Sequence, residues 1–131
     1  MEKLTYYEVQ QVKKVFRFAF TSPDWPYKPT SEIICHTSEP TCPPEVDPFR
    51  LSLQAFVLAA PDQIAVQWFR QNTEGGMDYR EMEKYSNFGY TTIWNRVDDM
   101  LKERTRKLPW NMAQQAISIF YEIQKTMDVR R

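Results

Sequence analysis

Glycine is scarce in this chain: three residues in 131, two of them adjacent at Gly75 and Gly76. A loop that cradles phosphates needs several spaced glycines ahead of a helix, so that signature is absent. Histidine occurs once, at His36, and cysteine twice, at Cys35 and Cys42. A Ser-His-Asp or Cys-His pair would have to use His36. Cys35 is its direct neighbour, and neighbouring side chains on extended chain point apart. The same three residues make a poor zinc set, with two adjacent, the third distant and no fourth Cys or His to complete four ligands. The expectation is therefore a non-enzymatic protein with no metal and no cofactor, although a carboxylate pair leaves no spacing signature by which to exclude it. No apolar run is long enough to span a bilayer and nothing reads as a secretory signal, so no membrane partner, reduced thiols and a cytoplasmic setting are expected. Lys and Arg number 17, as do Asp and Glu, and the formal net charge is zero. That balance excludes a purely electrostatic nucleic-acid binder but not a sequence reader with a local basic face.

What the chain does have is aromatic side chains, 15% of residues, and nine prolines. One compact domain with a core of ordinary size fits this length. The pattern predicts a small all-α bundle: residues 1–47 as an N-terminal helix and a Pro-rich arm, and residues 48–131 as a helical domain. Over Leu4 to Phe20, Tyr6, Val9, Val12, Phe16 and Phe20 keep helical spacing, with Glu8, Gln11, Lys13, Lys14 and Arg17 mostly opposite. Residues 15–20 alternate well enough for a strand, but Glu8 to Lys14 do not, which favours helix. Phe18, off the main stripe, suggests a second buried face. Six prolines between Pro23 and Pro44 then break any regular element, save for a short strand at Glu32 to Cys35. Trp25 and Tyr27 are expected to pack this arm onto the helices. Asp47 as cap and Pro48 in the first turn open a second helix to Ala59. Pro61 and Asp62 open a third, to Gln71, which the glycines at 75 and 76 end.

The most informative stretch is Asp78 to Val97. Asp78 is a good N-cap type, and Glu81 stands where a capping box reaches back. Met82 and Tyr85 are placed to face inward. Asn87-Phe88-Gly89 breaks the run, and Asn and Gly tolerate a left-handed backbone, so a sharp reversal is expected there with Phe88 plugging the angle. A second helix restarts near Tyr90 with Ile93 and Val97 on its buried side. It is expected to run on through Met100 and Leu101 into the basic run Lys102, Arg104, Arg106 and Lys107. Leu108-Pro109-Trp110 stops it. A last helix, Asn111 to Val129, carries Trp110, Ala113, Ala116, Ile117, Phe120, Ile123 and Met127 in one apolar stripe.

Tyr79-Arg80-Glu81-Met82, Asn87-Phe88, Thr91-Thr92-Ile93 and Arg96-Val97 together resemble the helix-turn-helix of DNA-binding proteins. With the preceding segment from about Leu51, the stretch is similar to region four of bacterial sigma factors and to phage late-gene antiterminators and activators. That family usually has a small residue where Glu83 stands. The resemblance implies double-stranded DNA as partner, with the second helix in the major groove. On that reading Thr91, Thr92 and Asn95 meet base edges, while Tyr90 and Trp94 pack on sugar or phosphate. Arg80 and Arg96 reach phosphates from the flanks, Arg96 alternatively meets a guanine, and Lys102 and Arg104 hold the groove edge. The same resemblance implies that the aromatic N-terminal half contacts RNA polymerase or another transcription protein. Whether such a protein acts singly or as a homodimer stays open. The alternative is a non-enzymatic α-helical interaction module, such as a phage inhibitor or adaptor, in which the helix pair serves only packing.

Overall fold

The structure, a computed structural model, describes residues 3–21, Trp25 and residues 47–129, the last three of these as backbone only. The strand expected at 32–35, together with Tyr27, Cys35, His36 and Cys42, lies outside them. Six helices and no strand are present among the described residues, and the fold is a small all-α bundle. They are α1 (Tyr6–Thr21), α2 (Pro48–Leu58), α3 (Gln63–Thr73), α4 (Tyr79–Tyr85), α5 (Tyr90–Lys107) and α6 (Trp110–Val129). No helix is long and apolar enough to cross a membrane among the described residues.

The bundle is built around α1, which packs against α6, α2, α5 and α3. Thr5 and Glu8 open it with a reciprocal capping box: the Glu8 amide donates to Thr5 Oγ1 at 3.1 Å and the Thr5 amide to Glu8 Oε1 at 2.9 Å. Val12, Val15, Phe16 and Ala19 have no exposed surface. Val12 and Phe16 of the expected main stripe are thus buried, together with Val15 and Ala19 off it, as the expected second buried face requires. Tyr6 at the head of the main stripe is 80% exposed, whereas Gln11, read as a solvent-side residue, is buried and donates to the Tyr121 hydroxyl at 3.0 Å. Neighbours on several sides leave α1 little surface for polar groups, and Gln11 is tolerated because it is hydrogen-bonded.

The cap of α2 falls where the sequence places it, whereas α3 starts at Gln63, after the expected opening residues Pro61 and Asp62, and runs to Thr73 and not Gln71. The Asp47 carboxylate accepts from the Phe49 amide at 3.0 Å and Pro48 occupies the first turn. It also accepts from the indole N–H of the buried Trp25 at 2.6 Å, so one residue of the arm is pinned to the bundle. Asp62 caps α3 by accepting from the Ala65 amide at 3.2 Å. Gly76, at φ +65°, makes the turn before α4. α6 buries Ala113, Ala116, Ile117, Phe120 and Ile123, as its spacing predicts, while Trp110 stays 37% exposed.

Candidate functional site

Helix α4 is two turns long and rests mainly on α5. Its cap is Asp78, whose carboxylate accepts from the Arg80 amide at 3.0 Å. Met82 is its one buried residue. Tyr85, expected inside, is 81% exposed. A helix this short, packed mainly on one neighbour, has a buried stripe only one side chain wide. The turn also differs from expectation, since no non-glycine residue among those described has positive φ and Gly89 sits at φ −70°, ψ 157°. Ser86 and Gly89 are extended at the two ends of the reversal, and the Ser86 hydroxyl accepts from the Phe88 amide at 3.1 Å. Phe88 closes the angle against the edge of Trp68, the ring centroids 5.4 Å apart.

α5 is held to the bundle by Ile93, Val97, Met100 and Leu101, all buried. With Ile93 and Val97 inward, the geometry of 3.6 residues per turn turns Thr91, Thr92, Trp94 and Asn95 outward. All four are exposed, Trp94 by 51%, and Tyr90 by 42% at the helix head. Arg80 lies over the Tyr90 ring at 5.0 Å from its centroid. Six of the nine residues singled out in the sequence, Arg80, Tyr90, Thr91, Thr92, Trp94 and Asn95, thus share one open ledge.

The other three do not offer a free cation there. Arg96 donates to both oxygens of Asp62, at 2.8 and 3.1 Å, and covers the Trp68 ring. The Arg96 hydrogen bond is the main cause that holds the Asp62 carboxyl below the ordinary aspartate range, against a desolvation that raises it. Lys102 pairs with Asp98 at 3.1 Å, and Lys13 of α1 reaches the same carboxylate at 2.5 Å. Arg104 is only 9% exposed and faces the bundle, donating to the Phe56 carbonyl, lying over the Phe56 ring and pairing with Glu103. Its expected place at the groove edge is not where the fold puts it. Seven residues after Val97, it continues the buried stripe, and its stem covers apolar surface.

Two features of the site were not read from the sequence. A groove of about 680 Å³ runs between α1 and α5, with Tyr6, Lys13 and Lys14 on one wall and Trp94, Asn95 and Asp98 on the other. Nothing local in either segment signals that pairing, because the residues are some eighty positions apart in the chain. The second is Glu83, whose Oε2 accepts from the Tyr90 amide at 2.9 Å. A signal for it existed: a helix whose cap is glycine must find its acceptor elsewhere.

The class these features define is a small all-α bundle with a polar and aromatic ledge along the opening turns of its fifth helix. No protein-family model, curated protein or solved structure matches the chain.

Proposed function

We propose that the protein is a sequence-specific DNA-binding regulator of transcription that reads the major groove with the opening turns of α5. The observation that supports this most is the open ledge: Thr91, Thr92 and Asn95 are exposed, Asn95 at the wall of the groove to α1, on a helix fixed from behind by Ile93 and Val97. Asn95 has the paired donor and acceptor that match an adenine edge, and Thr91 and Thr92 suit a hydrogen bond or a thymine methyl. Arg80 and Lys84 on α4 are exposed and lie on the flank where a phosphate rail would run. By the resemblance to sigma-like and phage late-gene proteins, the exposed aromatic head of α1 would contact RNA polymerase or another transcription protein.

Electrostatics set the character of such binding. From Asp78 to Val97 three cations, Arg80, Lys84 and Arg96, face three carboxylates, Asp78, Glu81 and Glu83. With Arg96 held by Asp62, about three phosphates is the reach of Arg80, Lys84 and a released Lys102. Each phosphate adds ~0.9 to the salt slope, so affinity should fall ~40-fold between about 50 and about 200 mM salt. Anisotropy of labelled duplex across that range tests the reading. A fall of this size for duplex supports it, and no measurable binding at about 50 mM refutes it.

The same charge balance favours a second reading, a non-enzymatic protein-interaction module such as a phage inhibitor or adaptor. Tyr85, Tyr90 and Trp94 would then be the anchors, since exposed aromatics with few uncompensated charges suit a protein partner.

A further inference from the structure

The head of α5 is held in an unusual way. The first N–H groups of a helix have no partner within it, and a side chain on the residue before accepts from the second or third of them. Here that residue is Gly89, which has no side chain to offer. The Tyr90 N–H, ahead of those two, donates to Glu83 on α4, seven positions back, at 2.9 Å. One turn before Glu83 on the same helix, Arg80 covers the Tyr90 ring. α4 therefore grasps the head of α5 through two side chains, one of them a carboxylate.

Glycine is not required at position 89 by the backbone. Its φ of −70° is open to any residue, and an added Cβ would meet nothing within 4 Å. A serine or aspartate would fit and accept from the Thr91 or Thr92 amide, whereas the carboxylate present at the helix head is Glu83, on the Tyr90 amide. The consequence is electrostatic. A helix head carries roughly half a positive charge and draws anions, phosphate above all. A carboxylate seated there cancels that attraction.

Building on the DNA reading above, we propose that Glu83 is an anion-excluding positioning residue. It fixes the angle between α4 and α5 and keeps phosphate from the head of α5. The helix then meets a duplex through Thr91, Thr92 and Asn95 and not through its backbone amides. Non-specific affinity is held down, and selectivity for base sequence gains by the difference.

Glu83→Gln separates the two parts of this role, because the amide oxygen still accepts from Tyr90 while the charge is gone. Gly89→Ser in the same background supplies a local cap and keeps the fold should the glutamine hold the turn poorly. The first readout needs no DNA: inorganic phosphate is titrated while the backbone amide resonances of Tyr90, Thr91 and Thr92 are followed. Saturable shifts are expected in Glu83→Gln and in the double variant but not in the unaltered protein. Equal behaviour of all three overturns the proposal. The second readout is binding to duplex of random sequence, where Glu83→Gln should raise affinity about 3- to 10-fold and steepen the salt slope by about one phosphate. An unchanged slope overturns it. Should the unaltered protein bind no duplex at all, the DNA reading fails, and the phosphate titration still decides whether Glu83 shuts anions out.

Discussion

Asp62 illustrates how one side chain serves two elements. Its carboxylate caps α3 through the Ala65 amide and holds Arg96 on α5. Asp62→Ser keeps an acceptor for the cap and releases the arginine. Since capping is worth ~1 kcal/mol and half-exposed ion pairs less, chemical denaturation should show a loss below about 1.5 kcal/mol for serine and a larger one for alanine. At the same scale lie the residues the sequence misplaced. Tyr85 follows Met82 at helical spacing and reads as core, but α4 is too short and too peripheral to bury both. Arg104 reads as a phosphate contact from its basic neighbours, although its register with Val97 and Met100 already places it on the buried side. The ledge residues were legible because burial of Ile93 and Val97 dictates which way Thr91, Trp94 and Asn95 turn.

At the scale of elements, helix limits were the most readable feature. Asp47-Pro48, Asp62 and Asp78 mark starts through local chemistry, and all three carboxylates accept from amides of the first turn. The turn at Asn87 to Gly89 was legible as a break but not as a shape. Its left-handed reading fails because tertiary contacts, Phe88 on Trp68 and Glu83 on Tyr90, hold the reversal with Ser86 and Gly89 extended and no positive φ at Asn87. The glycines consequently differ in what they tolerate. Gly76→Ala forces a side chain into positive φ and should cost roughly 1–2 kcal/mol by thermal melt, whereas Gly89→Ala meets no clash and should cost less, only what alanine loses to glycine at a cap. The anchoring of α5 depends on Ile93, which has no exposed surface. Truncating it to alanine should cost about 2–5 kcal/mol by urea titration, as loss of a large buried aliphatic does.

For the molecule as a whole, the central place of α1 was not legible, because partners far along the chain decide it. One of its links to α5 passes through Asp98. Burial raises that carboxyl's pKa, but hydrogen bonds and charges from Lys13 and Lys102 together outweigh it, and the net shift is downward. Asp62 and Glu103 are lowered as well, each chiefly by its arginine partner. Carboxyls with a depressed folded-state pKa contribute stability above the unfolded value of about 4, and the contribution is lost as pH falls through the lower folded values. Melting temperature should therefore be level with respect to these groups at neutral pH and drop below about pH 4. Asp98→Asn should shallow that drop, and an unaltered acid limb in this variant would contradict the assignment. The central claim, that the opening turns of α5 read base sequence, is tested most directly by selecting bound sites from a pool of random duplex DNA with the unaltered protein and with Asn95→Ala. An enriched motif is expected for the first, and for the second a motif that has lost its preference at one or two positions, with unchanged helicity and melting. Recovery of the same motif from both proteins, or of no motif from either, would contradict it.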